Sequence, residues 1–315
     1  MNVLITGGAG FIGSHLAERL VGCGHTVTCV DNLVLGTEDN IRHLYGKPNF
    51  AFLKADASDT GAMEAVMAGR AIDIVYHLAA NSDIQKSGAD PSIDWRNTFQ
   101  TTYAVLEGMR KHGVKQLFFS STSAVYGEKT GRPLREDEGG LAPISYYGAA
   151  KLASEAFISS YAYMNDLAAV IFRFPNVIGP RLTHGVLYDF SQKLARDPSR
   201  LEILGDGTQL KPYLHVCDLV DCIVFMTRNM KKGVEIYNIG VETATTVKEI
   251  ADMLCRALGL ANVEYCYTGG DRGWKGDVPS FAYDLSKIKA AGWTPRYTSN
   301  EAVWATIESM VGKKA

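Results

Sequence analysis

Asn2-Val-Leu-Ile-Thr-Gly-Gly-Ala-Gly-Phe-Ile-Gly13 joins a short apolar run directly to three glycines, Gly7, Gly10 and Gly13, at the spacing G-x-x-G-x-x-G. The segment Phe11 to Val21 that follows carries apolar residues at helical spacing, so the glycines occupy a strand-to-helix turn. Glycine at such a turn lets the backbone approach a pyrophosphate, whose charge then rests on the free N–H groups of the helix terminus. Read alone, the turn is equally well explained by close packing that tolerates no side chain. The rest of the chain decides between the two.

Apolar runs of strand length recur at His25 to Val30, Asn49 to Leu53, Ile72 to Tyr76, Gln116 to Phe119 and Ala168 to Phe172. Strands that apolar are buried on both faces. Between them lie segments of helical periodicity, Asp59 to Met67, Pro91 to His112 and Ser145 to Met164. Strict alternation of this kind specifies an α/β fold, a Rossmann-type doubly wound parallel sheet. Asp31 ends the second strand, 18 residues beyond Gly13. A carboxylate there accepts bonds from ribose hydroxyls and repels the extra phosphate of NADP, which makes NAD the expected cofactor. Asn32 follows, where an NADP site often carries a basic residue. Asp56, at the end of strand three, suits either the adenine amino group or the start of the next helix.

After Phe174 the texture changes, with Pro175, Gly179, Pro180, Gly185, Gly205 and Gly207 breaking the chain into loops and short elements. A smaller, interleaved C-terminal substrate-binding domain is expected there. His215 to Asn229 reads as a helix and Val234 to Ile239 as a strand that returns to the main sheet. The expected division is therefore 1–174, joined by about 215–240, for NAD, and 175–214 with 241–315 for substrate. Thr246 to Leu258 and Asn300 to Val311 read as helices around the loop Gly269 to Pro279.

Composition narrows the class. A chain of 315 residues buries a large core. A net charge of −2 and a pI near 6.4 give no reason to expect nucleic acid or an anionic membrane as partner. No apolar run is long enough to cross a bilayer, and the first residues read as a strand, so a cytoplasmic location is expected. The six cysteines form neither a C-x-x-C pair nor a disulfide framework, and the seven histidines form no H-x-x-x-H set. No metal site is expected.

Chemistry enters at Ser145-Tyr-Tyr-Gly-Ala-Ala-Lys151. On a helix Tyr147 and Lys151 stand at i and i+4 on one face, while Tyr146 points about 100° away. An ammonium held about 4 Å from the phenol, at an effective dielectric near 20, favours the phenolate by about 4 kcal/mol, roughly three pKa units. The positive nicotinamide ring of NAD acts in the same direction. Hydroxyls in Ser120-Ser-Thr-Ser-Ala-Val-Tyr-Gly127, at the end of the neighbouring strand, are placed to orient a substrate oxygen against Tyr147.

These residues, together with His77-Leu-Ala-Ala80, Arg173-Phe-Pro-Asn176 and Gly179-Pro-Arg181, resemble the extended short-chain dehydrogenase/reductase family and its nucleotide-sugar epimerases of the UDP-galactose 4-epimerase kind. The resemblance runs over nearly the whole chain. It implies a catalytic set of Thr122, Tyr147 and Lys151, and cofactor contacts at Gly7, Gly10, Phe11, Ile12, Gly13, Asp31, Asn32, Asp56, Ala57, Leu78, Ala79, Ala80, Asn97, Ser120, Tyr147, Lys151 and Phe174. It implies substrate contacts at Ser82, Thr122, Asn176, Val186, Lys211, Tyr213 and Asp277, with Thr183 and His184 serving either as contacts or as plain loop. It also implies a homodimer.

The departures sharpen the expectation. Relatives that eliminate water or decarboxylate carry acidic residues just after the catalytic Thr. Here Ser123 and Ala124 follow Thr122, which leaves reversible oxidation alone. The expected reaction is epimerisation of a nucleotide-diphosphate sugar at C4 through a 4-keto intermediate, with Tyr147 taking the C4 hydroxyl proton. UDP-sugars of the glucose/galactose type are the expected substrates. A nucleotide-sugar oxidoreductase and a non-catalytic NAD-binding scaffold are the alternatives. Lys211 and Pro212 replace the Arg and Asp of the family's R-D-Y, and the Arg-x-Gly-Asp loop reads Trp274-Lys-Gly-Asp277. Arg181, Arg272 and Lys275 are the candidates for the missing pyrophosphate cation.

Overall fold

The computed structural model describes residues 1–129 and 131–312, without the side chains of Gln85 and Lys86. Residues 313–315 of the expected substrate domain lie outside the described residues. Six strands, β1 (Asn2–Thr6), β2 (Thr26–Asp31), β3 (Phe50–Lys54), β4 (Ile74–His77), β5 (Gln116–Thr122) and β6 (Ala168–Phe174), form one sheet with Gly233–Asn238. The order is Gly233–Asn238, β6, β5, β4, β1, β2, β3. β1 pairs in parallel with both β2 and β4, β2 with β3, and β4 with β5. Chain order reverses at β1, so the ends of β1 and β4 flank the switch point where such sheets hold ligands.

The apolar runs that define the strands also fill the core. Leu4, Val30, Val75, Leu117, Phe119 and Ile171 pack against Met63, Met67, Val105, Met109 and Ile158 of the covering helices. Helix α1 is Phe11–Gly22 and α2 is Thr60–Met67. Asp59 caps α2, accepting from the backbone of Gly61 and Ala62 at 2.8 and 3.1 Å.

The segment read as one helix over 91–112 is divided. A turn at Ser92–Asp94 leads into a π-helical stretch, Trp95–Gln100, and then a regular helix, Thr101–His112. Thr101 Oγ1 donates to the Arg96 carbonyl five residues back at 3.1 Å. The wider winding turns Thr98 fully into the protein, while Asn97 stays partly exposed. Gly113, at φ 72°, ends the helix in the left-handed conformation that only glycine adopts cheaply.

Two compact units emerge. One comprises Met1–Val125, Ser145–Arg173 and Val220–Tyr237; the other comprises Tyr126–Ile144, Phe174–Leu219 and the chain from Asn238 onward. The difference from the sequence-based division is the segment 126–144, which pairs within the second unit. Leu134 exchanges backbone bonds with Ala282 and Asp284 at 2.8 Å, and the Tyr126 hydroxyl donates to Asn238 Oδ1 at 2.7 Å.

The second unit is built from small sheets and helices. Asn176–Ile178 pairs with Tyr213–His215, Leu210–Lys211 with Thr245–Thr246, and Arg200–Ile203 with Glu264–Tyr267. Its core joins Leu187, Phe190 and Leu194 to Leu201, Ile203, Ile250, Leu254 and Ile307. Thr246 and Thr298 open the helices Val247–Ala257 and Ser299–Val311 with reciprocal caps to Glu249 and Glu301.

Candidate active site

The glycine turn is sterically closed on its inner side and open at its outer tip. Gly7 has φ 71°, and a Cβ there would lie 2.8 Å from the Ala79 nitrogen; a Cβ on Gly13 would lie 2.1 Å from the Gly7 carbonyl oxygen. Gly10 precedes α1 with no side-chain cap, and the first turn of α1 holds no acidic residue. The N–H groups of Phe11, Ile12 and Gly13 thus form a helix terminus supplied with neither a capping oxygen nor a carboxylate. A pyrophosphate meets both needs.

Asp31, buried at the end of β2, accepts from the backbone of Ala9 at 3.0 Å and of Leu33 at 2.9 Å. Burial raises its pKa, and those backbone bonds pull it back down. Asn32 Oδ1 accepts from Val34 at 3.1 Å, which fixes the loop beyond. Asp56 accepts from the Ser58 backbone at 2.9 Å, leaving the cap of α2 to Asp59, and Ala57 is buried beside it. Leu78, Ala79 and Ala80 leave the end of β4 partly exposed, with the Leu78 N–H donating to the Thr6 carbonyl at 3.1 Å. Ser82 is partly buried in the same loop. Phe174 ends β6 and is partly buried.

Ser145 caps the helix Tyr146–Asn165, its hydroxyl accepting from the Gly148 N–H at 3.1 Å. The cap sets the phase that sends Tyr146 outward, 50 % exposed, and Lys151 inward, 1 % exposed. Lys151 Nζ donates to the Ser120 carbonyl at 2.5 Å and lies 3.4 Å from the Ser120 hydroxyl, at the end of β5. It stands 4.6 Å from the Phe119 ring centre and 5.9 Å from that of Tyr147. Thr122, buried, hydrogen-bonds to Tyr147 and also accepts from the Ala124 N–H at 3.2 Å.

The electrostatics correct one expectation. The sequence argument has the ammonium pulling the Tyr147 pKa down, yet burial and then the nearby Asp94 push it well up, with the Thr122 bond alone opposing them. Lys151 bears the cost of its own burial, which lowers its pKa to about 7 against the attraction of Glu155 and Asp94. At Lys151 desolvation exceeds the pairwise attraction because its side chain is fully withdrawn from water, whereas Tyr147 stays partly exposed.

Sequence reading missed the surrounding acids. Glu155, one helical turn past Lys151, takes a fork of bonds from Arg173 at 3.0 and 2.6 Å and one from the Ser121 hydroxyl at 2.5 Å. Its i,i+4 spacing from Lys151 was the available signal. Asp94 is 1 % exposed; one oxygen accepts from Asn81 Nδ2 at 2.9 Å, and the other has no hydrogen-bond partner. Asn97, expected as a cofactor contact, is partly exposed, and its neighbour Thr98 is buried, donating to Asp94 at 3.4 Å.

In the second unit the expected substrate residues fall into pairs. Lys211 Nζ forms a short ion pair with Asp277, and Asn176 hydrogen-bonds the buried Tyr213 hydroxyl. Val186 begins the helix Val186–Arg196, just after Gly185 at φ 92°. Arg272 is bonded to Glu128 at 2.9 Å and to Asp271 at 3.2 Å. Lys275 is exposed, and Arg181 holds φ 69°, a left-handed conformation unusual for a side chain of its size. Thr183 and His184 contact each other at 3.2 Å on an exposed loop.

Residues 3–240 match the NAD dependent epimerase/dehydratase family. The chain is 35 % identical to UDP-arabinose 4-epimerase 1 of Arabidopsis thaliana, across 96 % of this chain and 78 % of that one. It is 32 % identical to the UDP-glucose 4-epimerase of Thermotoga maritima solved with UDP-glucose, with a TM-score of 0.90 over the whole of both chains. It is 30 % identical to the UDP-glucose 4-epimerase of Thermus thermophilus solved with NAD, with a TM-score of 0.88 over 99 % of each.

Proposed function

The chain belongs to the NAD dependent epimerase/dehydratase family, and from that premise we propose that it is an NAD-dependent isomerase that inverts C4 of a UDP-sugar. The observation that carries this reading is Tyr147 hydrogen-bonded to Thr122 beside a buried lysine, with Ser123 and Ala124, not acids, in the turn that follows.

NAD, when bound, supplies a reversible hydride acceptor and a positive ring. The open terminus of α1 and the Asp31 carboxylate suit its pyrophosphate and ribose, and the first compact unit is its domain. Tyr147 takes the proton of the sugar C4 hydroxyl while the Thr122 hydroxyl orients that oxygen. Lys151, anchored to the Ser120 carbonyl, supplies the charge that compensates the phenolate. After the 4-keto sugar turns over, hydride would return from the reduced cofactor to the opposite face of C4 while the same Tyr147 oxygen gives its proton back to the C4 oxygen, so no net oxidation results. Absence of a further acid after Thr122 leaves the ketone with no path to elimination or decarboxylation. The second unit holds the nucleotide through Asn176, Tyr213, Lys211 and Asp277. One relative named a UDP-arabinose 4-epimerase and another named a UDP-glucose 4-epimerase support a substrate class that takes in both pentose and hexose UDP-sugars.

The protein works as a homodimer in the cytoplasm. Trp95, Tyr103 and Phe157 are exposed at 61, 39 and 41 %, and Phe99 links two of them, 5.0 Å from Trp95 and 4.9 Å from Phe157. An exposed aromatic cluster of that kind supports self-association. Free cysteines throughout the described residues support a reducing compartment, and among those residues no helix is long and apolar enough to cross a membrane.

Incubation with UDP-glucose, UDP-galactose, UDP-xylose and UDP-arabinose, followed by separation of C4 epimers, tests the activity. Epimer formation without accumulation of reduced cofactor is the expected result. Stoichiometric release of reduced cofactor with a ketosugar replaces isomerase by oxidoreductase.

A further inference from the structure

Besides Asp31 at the end of β2, four charged side chains are buried among the described residues of the first unit: Lys151, Glu155, Arg173 and Asp94, at 1, 5, 3 and 1 % exposure. Two of these four are basic and two are acidic. Their internal pairing is uneven. Arg173 holds Glu155 with bonds from both Nε and Nη2, and the Ser121 hydroxyl takes part of the remaining capacity of that carboxylate. Glu155, whose charge is the stronger of the two anionic pulls on Lys151, has its hydrogen bonds largely spent on Arg173, and the acceptors bonded to Lys151 are neutral, the Ser120 carbonyl and hydroxyl. The ammonium needs an anion that no other partner claims.

Asp94 meets that description. It sits where the turn Ser92–Asp94 enters the π-helical stretch, and both pieces pack against the helix that carries Tyr147 and Lys151. Asn81 Nδ2 holds one oxygen at 2.9 Å, and Asn81 is itself fixed by the Asp83 carbonyl at 3.1 Å and by Thr98 Oγ1 at 3.2 Å. The second oxygen has no donor. The remaining titratable group near Lys151 is His77 on β4, buried and bonded to the hydroxyls of Thr6 and Thr102. Burial and the Lys151 charge lower its pKa to about 3, so it is neutral. A buried carboxylate with one oxygen unpaired is costly unless a cation balances it.

We propose that Asp94 is the counter-ion of Lys151, a positioning residue that keeps the lysine charged in the dry site and so fixes the protonation of the Tyr147–Lys151 pair. The inference deepens the role given to Lys151 above and rests on it. Asp94 also raises the Tyr147 pKa, so in the resting pair the phenol is protonated, while the charge on Lys151, whose pKa burial lowers to about 7, depends on the anions around it. Base strength then appears only when further positive charge arrives next to the phenol.

The test is a titration that needs no turnover. Cofactor-free protein is prepared with carbon-13 at lysine Cε, and the Lys151 resonance, assigned by its loss in Lys151→Met, is followed with pH. Asp94→Asn keeps the shape and the acceptor for Asn81 while removing the charge. The Lys151 midpoint should fall by about one pH unit in that variant. A midpoint that stays at the wild-type value in folded Asp94→Asn, or rises, overturns the proposal. If Asp94→Asn does not fold, Asp94→Ser removes the same charge from a smaller side chain and is read the same way. Failure of the epimerase assay leaves this titration intact, whereas an unmoved midpoint in an active enzyme overturns the counter-ion alone.

Discussion

The Lys151 ammonium lies 2.5 Å from the carbonyl oxygen of Ser120 and 5.9 Å from the centre of the Tyr147 ring. Its shortest bond therefore goes to the backbone of β5, and the tyrosine senses it as a nearby charge. The phenol is subject to a field, which makes it sensitive to the buried charges around it.

On the function proposed above, removing the phenol oxygen removes the group that exchanges the C4 proton. Tyr147→Phe should lower kcat by about a thousandfold or more while leaving the glycine turn and Asp31, and hence NAD affinity, unchanged. Epimer assays beside a calorimetric NAD titration check both halves, and wild-type turnover in this variant refutes the assignment.

Lys151 gives stability a distinct pH signature. Its folded pKa of about 7 lies below the ordinary lysine value of 10.5, so between those limits the unfolded chain binds more protons. Wild-type stability, relative to Lys151→Met, should rise as pH climbs from about 7 toward 10, by an amount on the order of a few kcal/mol. Urea unfolding of the two cofactor-free proteins across that range measures the difference, and a flat difference contradicts the buried-ammonium picture.

The glycine turn separates steric need from binding need. Gly13→Ala places a methyl 2.1 Å from the Gly7 carbonyl and should cost about 2–3 kcal/mol of stability. Gly10→Ala meets only the same oxygen at 3.2 Å, so its main effect should be weaker NAD binding with near-wild-type unfolding. Thermal unfolding read against cofactor titration distinguishes the two.

Asp31 should set cofactor choice. Asp31→Asn keeps an acceptor for the Ala9 or Leu33 N–H but loses the charge. NAD affinity should fall by about tenfold, the worth of a charged hydrogen bond, while NADP loses its repulsion. Parallel titrations with the two dinucleotides give the ratio; an unchanged ratio removes Asp31 from the site.

Glu155 and Arg173 form a buried pair, so breaking one side leaves a bare charge. Glu155→Gln should destabilise the fold by about 3–5 kcal/mol, and Glu155→Leu with Arg173→Met should recover most of that loss. Urea unfolding of the single and double variants supplies the comparison.

The amino-acid sequence by itself determined the alternating α/β pattern, the turn at Gly7 to Gly13, the carboxylate of Asp31 at a strand end and the shared face of Tyr147 and Lys151. Each is local: periodicity, glycine spacing and an i,i+4 step act within a few residues and survive any packing. Only the tertiary structure decided that Asp94 sits buried in an element packed against that helix, that Thr98 of the π-helical stretch is buried while Asn97 stays partly exposed, that Lys211 pairs with Asp277, and that 126–144 packs within the second unit. Burial and charge pairing depend on residues tens of positions apart in the chain. The sign of the Tyr147 shift follows from those distant neighbours, because desolvation and then the field of Asp94 outweigh the hydrogen bond from Thr122 that opposes them.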